Sequence, residues 1–184
     1  VLGTHGALAA NRALLEADSE PRPTFWSEMA ALGWLGIHLH ERHGGAGAGL
    51  AELVVVLEEV GRQVAPGPFL PTVLASAVIE DCGTESQRAA LLPGLADGSV
   101  VAALGLGGSL TRRGDVLDGD GGIVLGGVLA DLLLVRSGDD VIVLRPDALG
   151  VTVSGTKNLD PSRRSVRVTV SSLPVGAPEV LVGA

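Results

Sequence analysis

Three histidines and a glutamate stand close together as His38, His40, Glu41 and His43, in the pattern H-x-H-E-x-H. On a strand, His38 and His40 would share a face, as metal ligands often do. No second cluster completes a tetrahedral set, and the glycines that follow make a turn and not a ligand-bearing helix. The pattern therefore reads as a polar strand end leading into a loop, with no metal. Gly44 to Gly49 alternates glycine with alanine, which invites a dinucleotide reading. The G-x-G-x-x-G spacing fails, because Gly45 and Gly47 put Leu50 in the third slot, and the surroundings lack a βαβ alternation. Ser154 and Lys157 match S-x-x-K in letters only. That chemistry needs the serine at the start of a buried helix, and here Val151 and Val153 alternate before it while Asp160-Pro161 follows. Glu58-Glu59 reads as the solvated face of a helix. No catalytic set emerges from these residues.

The elements that must position them change character near Gly98. Before it the apolar period is helical. A first helix is expected from Leu8 to Ala17. A second starts near Pro23 and places Phe25, Met29 and Leu32 on one face before Gly33. Leu50, Leu53, Val54, Leu57 and Val60 form the apolar stripe of a third. A fourth runs from Pro71 to Gly83. Thr84-Glu85-Ser86-Gln87 is a capping box for a fifth, which reaches Leu92, where Pro93 ends or restarts it. Beyond Gly98, strands are expected at Val100–Leu106, Ile123–Leu125, Leu132–Arg136, Val141–Arg145 and Ser165–Val170, with Asp118-Gly119-Asp120-Gly121 as a turn. The run LLLVRSGDDVIVLR reads as a hairpin, and Val166, Val168 and Val170 alternate with Arg167 and Thr169. Helices followed by strands predict an α+β chain: an all-α domain over residues 1–98, then a small β-barrel-like or β-sandwich domain over residues 99–184.

Composition narrows the function classes. The 184 residues are 46% hydrophobic and 18% charged, which excludes disorder. A net charge of -8 argues against a nucleic-acid partner. Aromatics are 2% with no tyrosine, so a base-stacking platform is missing. The single cysteine, Cys82, cannot form an internal disulfide, which points to a reducing compartment. No stretch offers the roughly 20 clean apolar residues of a membrane span, and nothing near Val1 reads as a signal peptide. A cytoplasmic chain is expected.

Longer strings carry more. ALGWLGIHLHERHGGAGAGLAELVVVLEEVGRQVAPGPFLPTVLASAV, followed by GTESQRAALLPGLADGSVVAAL, resembles the N-terminal helical domain of acyl-CoA dehydrogenases. The LGWLG turn, the H-G-G-x-G loop, the E-E-V-G-R helix and the Q-R-x-x-L-L-P-x-L-A-D-G helix stand in the family's order. ADLLLV, GVTV and LDPSRRSVRVTV resemble the family's middle β-domain, which covers the flavin. The resemblance implies an FAD-dependent enzyme that removes the α-proton of an acyl-CoA thioester with a glutamate and passes a β-hydride to FAD. It also implies that the C-terminal four-helix bundle carrying that glutamate lies outside these residues, so no catalytic residue is expected here.

Two departures stand out against that family. Its T-E-P-x-x-G-S-D-like flavin segment should follow Ala102–Leu106, but Gly107, Gly108 and Ser109 stand there, leaving Leu106, Gly107, Gly108 and Ser109 as degenerate cofactor-binding positions. Its W-x-T/S segment should fall between Leu125-Gly126 and Ala130-Asp131, where only Gly127-Val128-Leu129 remain, which reads as a deletion. This pattern resembles the degenerate half of actinobacterial fused or heteromeric dehydrogenases, several of which act on steroid side-chain CoA thioesters. The expectation is a flavin-poor, non-catalytic part that joins acyl-CoA dehydrogenase subunits in a homo- or hetero-oligomer. The alternative is a stand-alone scaffold module. A CoA-phosphate contact at Arg163-Arg164 is less expected than structural ion pairs. The apolar surplus predicts faces that associate with partner copies.

Overall fold

The computed structural model describes residues 1–176 and 179–183. Among them the helices come first: α1 (Ala7–Leu14), α2 (Trp26–Ala31), α3 (Leu50–Arg62), α4 (Phe69–Cys82) and α5 (Glu85–Ala96). The strands follow as β1 (Ala102–Gly105), β2 (Ser109–Arg113), β3 (Val116–Leu125), β4 (Leu132–Ser137), β5 (Asp140–Leu144), β6 (Val151–Gly155), β7 (Ser165–Pro174) and β8 (Val180–Leu181). The α+β class is as expected. Of the two β forms considered, the sandwich is the one that forms. One sheet has the order β1-β4-β5-β8 and the other β2-β3-β7-β6, with no closure into a barrel.

The pleat explains the layers. Ala103, Leu133, Val135, Ile142 and Leu144 of the first sheet meet Val124, Val166, Val168 and Val170 of the second in one core. Their neighbours on the other face, Ala102, Leu132, Leu134, Val141 and Val143, pack on Ala75 and Ile79 of α4 and Leu92 and Leu95 of α5. The first sheet is thus buried on both faces, which is why its strands read as unbroken aliphatic runs. Helix α4 buries Phe69, Val73, Ala75 and Ile79 between this sheet and the other helices, and leaves Leu74 exposed. The second sheet has one wet face, where Arg167 and Thr169 alternate with the buried valines of β7.

Several elements differ from expectation. Leu32 is exposed, so α2 buries Phe25, Trp26 and Met29 instead. Leu50 and Val54 of the α3 stripe also face outward, while Leu53 and Val60 are buried. Helix α5 continues through Pro93 to Ala96 because its capping box, its docking on the sheet and a proline close to its end outweigh one lost backbone bond. The supposed turn Asp118–Gly121 lies inside β3, where register shifts after Leu117 and Asp120 mark bulges. Strand β2, with Leu110 as its single buried residue, has too weak an alternation to be read from sequence.

Candidate functional site

The histidine cluster is assembled by a turn and two helices and not by a strand. Glu41–His43 form one 3-10 turn that brings His43 between α4 and α5. The His43 ring is 2% exposed, with Nδ1 3.1 Å from Glu80 Oε2 and Nε2 3.4 Å from Glu85 Oε1. The other Glu80 oxygen accepts from the His40 backbone N–H at 3.4 Å. His38 turns away to Ser76, Nε2 to Oγ 3.1 Å, and its buried Nδ1 has no partner. Burial holds the His38 pKa below its ordinary value, against a smaller opposing pull from Glu80. The ring nitrogens of His43 are thus committed to carboxylates, and no group of three His, Cys, Asp or Glu among the described residues has metal-holding geometry. The cluster ties the glycine loop to α4 and α5.

Most amides of that loop are spent on backbone carbonyls. The N–H groups of Gly45, Ala46, Gly47 and Ala48 donate to the carbonyls of His40, Gly36, Leu39 and Ile37. A Cβ at Gly45 would lie 2.1 Å from the Leu39 carbonyl oxygen, so the glycine serves close backbone packing. Ser154 sits on exposed β6 and Lys157 in the loop after it, with no helix for S-x-x-K chemistry. Glu59 pairs with Arg62 on the surface of α3 at 2.8 Å.

Arg163 and Arg164 are structural. Arg163 donates to the Ala65 carbonyl at 3.1 Å, and the Arg164 guanidinium donates to the carbonyls of Ala17 and Asp18 just beyond α1. The Arg164 backbone N–H donates to the buried Glu20 carboxylate at 2.7 Å, and Asn11 of α1 donates to Ser162 at 3.1 Å. The 156–165 loop is therefore clamped to the helices. Burial raises the Glu20 pKa, opposed by the Arg164 N–H and by both guanidinium charges.

A second place has little side-chain chemistry but a defined shape. The link between β1 and β2 crosses the middle of β3, and its backbone lies directly on it. A Cβ at Gly108 would stand 2.4 Å from the Asp120 carbonyl oxygen, and one at Gly122 would stand 2.7 Å from the Gly107 carbonyl carbon. Leu106, Gly107 and Gly108 are exposed, and Ser109 opens β2 opposite Asp120. Beyond this crossing, Ile123 and Leu125 project outward at 48% and 41% exposure while Val124 between them is fully buried. Ile123 and Leu125 floor a shallow recess of about 420 Å³ whose wall includes Thr156, Lys157, Asn158 and Leu159. Its polar atoms are largely spent internally: the Thr156 hydroxyl lies 2.9 Å from Asn158 Oδ1, and Asn158 Nδ2 donates to Arg163 O and Ser165 Oγ. A larger cleft of about 580 Å³, between α5 and the β5 and β7 ends, is mainly aliphatic and shares no residue with this recess.

Residues 6–99 match the family described as acyl-CoA dehydrogenase, N-terminal domain, which is more than half of the chain. The chain belongs to the acyl-CoA dehydrogenase family. The acyl-CoA dehydrogenase FadE12 of Mycobacterium tuberculosis is 40% identical over 85 residues, 44% of this chain and 21% of that protein. FadE28 of the same organism is 30% identical over 169 residues, 87% of this chain and 50% of that protein. Among solved structures, a variant of the Tcur3481-Tcur3483 steroid ACAD has a TM-score of 0.81 at 31% identity, covering 94% of this chain and 52% of that one. The ChsE4-ChsE5 complex from Mycobacterium tuberculosis has a TM-score of 0.85 at 21% identity, covering all of this chain and 54% of that one, a likeness of fold. The chain thus spans from about a fifth to about half of the lengths of these relatives.

FAD is the cofactor that an acyl-CoA dehydrogenase implies. Among Leu106 to Ser109 and the outward residues of the β3 end, Ser109 alone carries a side-chain hydrogen-bonding group. Gly108 and Gly122 press backbone on backbone, which leaves no room for a side chain at either. These residues do not supply the threonine, glutamate, aromatic and hydroxyl contacts that the family's two flavin segments bring. The outward pair Ile123 and Leu125 was missed from sequence because neither carries chemistry. The signal was their i, i+2 spacing at the end of a strand.

Proposed function

We propose that this chain is the flavin-poor, non-catalytic part of an acyl-CoA dehydrogenase assembly that oxidises acyl-CoA thioesters at the α,β-carbons, including those of steroid side chains. Its helical portion, residues 1–98, and its β portion, residues 99–184, act as scaffold for subunits that carry flavin and the catalytic base. The observation that supports this most is the poverty of polar side chains at both candidate flavin segments, Leu106–Ser109 and Gly127–Leu129.

The chemistry explains why that loss matters. The α-carbon of a thioester is a weak acid, so the base acts only where the carbonyl is polarised by fixed donors and water is excluded. In such an enzyme FAD supplies the acceptor for the β-hydride. The recess has an aliphatic floor, and of the charged groups on its rim Asp160 is bonded to Ser162 and Arg163 to the Ala65 carbonyl. The identity with a steroid ACAD and the naming of a second neighbour as a ChsE4-ChsE5 complex favour a steroid-type, heteromeric setting. Exposed Leu50, Val54 and Val55 on α3 suit burial in such an assembly.

The test is co-purification. The chain, isolated with its native partners, is expected to bring down an acyl-CoA dehydrogenase subunit, with flavin counted against that subunit and not against this chain. Dehydrogenase activity of this chain alone on acyl-CoA would overturn the proposal.

A further inference from the structure

The W-x-T/S segment reads in the sequence as a deletion after Leu125, and the strand geometry assigns it elsewhere. We infer that Ile123 and Leu125 occupy the two places that the family fills with an aromatic ring and a hydroxyl, so that the segment is kept at full length and made aliphatic. This rests on the proposed reading of the chain as flavin-poor and names the residues responsible.

The register carries the argument. Strand β3 pairs with β7 without interruption from Gly122 to Leu125, which stands opposite Ser165. The connection to β4 is closed and short: Gly126 N–H donates to Arg164 O, Leu129 N–H to Gly126 O, and Ala130 N–H to Gly127 O. Asp131 then pins the start of β4, its carboxylate accepting from the Val101 N–H at 2.8 Å. Nothing in this path is a truncated hairpin.

A W-x-T/S segment that presents both its flanking residues to one ligand needs them on one face of a strand, with the middle residue turned inward. Val116–Leu117–Asp118 meets that demand at the far end of β3, and Ile123–Val124–Leu125 is the triplet that meets it next to the turn. Val124 is fully buried, and Ile123 and Leu125 flank it on the open face. The preceding Gly121 and Gly122 have no side chains to offer. The same triplet lies beside Gly105, where a Cβ would stand 2.6 Å from Val124 Cγ2, while Gly107 and Gly108 press on the preceding Asp120–Gly122, so the two segments are neighbours in the fold. Both positions have lost hydrogen-bonding or stacking groups, and both keep their backbone place.

Flavin affinity can therefore be restored in part by side chains alone. FAD is titrated into the protein purified with its native partners, and binding is counted beyond the flavin those partners hold, for wild type, for Leu125→Thr and for Ile123→Trp/Leu125→Thr, with folding checked by near-ultraviolet circular dichroism. Wild type is expected to show no stoichiometric binding. The double variant should bind FAD at least tenfold more tightly, with quenching of tryptophan fluorescence beyond any wild-type change, and Leu125→Thr, a mild exposed change, should give a few-fold gain. If wild type carries one FAD per chain, the flavin-poor reading falls and this inference with it. If wild type adds no FAD beyond its partners' and both folded variants bind no more tightly, this inference alone falls and the broader reading stands.

Discussion

Two regions of the molecule invert the usual relation between side-chain chemistry and function. The cluster of His38, His40, His43, Glu80 and Glu85 is rich in groups that could bind metals or move protons, and its contacts join a loop to two helices. The crossing of the β1–β2 link over β3 is nearly bare of such groups, and it is where we place the counterparts of the family's flavin segments. The difference lies in satisfaction. Both ring nitrogens of His43 already have carboxylate partners, whereas Ile123 and Leu125 present aliphatic surface outward with no layer over it among the described residues. Chemistry-bearing residues mark a site when some of their bonding capacity is left for a ligand.

The first way to break the comparison is His43→Ala. It leaves Glu80 and Glu85 without their buried partner, and a loss of about 2–3 kcal/mol is expected from urea unfolding. A change below 0.5 kcal/mol would show that the cluster is not holding the loop. Arg164→Ala removes the clamp on the carbonyls after α1 and should cost about 1–2 kcal/mol, with faster amide exchange concentrated near Ala17 and Asp18. Thr84→Ala removes the capping box of α5, in which Gln87 N–H donates to Thr84 Oγ1 at 3.3 Å and Thr84 N–H to Gln87 Oε1 at 2.8 Å. About 1 kcal/mol should be lost.

Acid sharpens the contrast further. Because burial depresses the folded pKa of His38, its contribution is fully present above its ordinary value of 6.5 and is lost as pH falls through the lower folded value. Wild type should lose stability below about pH 6.5, at no more than about 1.4 kcal/mol per pH unit for this one proton, and His38→Gln should flatten that slope. Glu20 has the opposite sign: its raised pKa means its contribution is present at low pH and declines as pH rises through the folded value, so Glu20→Gln should gain stability at neutral pH relative to acid. The smallest effect is expected at the other region. Ile123→Ser should shift stability by no more than about 0.5 kcal/mol, since the residue is half exposed.

Much of the helical part was legible because its signals are local. The Thr84 box, the Leu53 and Val60 spacing, and the end of α4 at Gly83 each follow from a few neighbouring residues. Which face of α3 is buried was not legible, because apolar residues occupy more of its circumference than one core face requires. In the β part, the doubly buried β4 and β5 announced themselves, while β2 and the bulged centre of β3 did not, since glycine and aspartate there serve the register and not the core. The candidate site was half legible. The sequence singles out Leu106 to Ser109 as candidates by their departure from the family's string, whereas pairing Ile123 with Leu125 needs the strand's register.

The central claim is that this chain contributes scaffold and no flavin to its assembly. The most direct measurement is the ratio of bound FAD to this polypeptide, from flavin absorbance and quantitative peptide mass spectrometry on the purified assembly. The account predicts that all bound flavin is accounted for by the partner subunits, with none assigned to this chain. One additional FAD for every copy of this chain would contradict it.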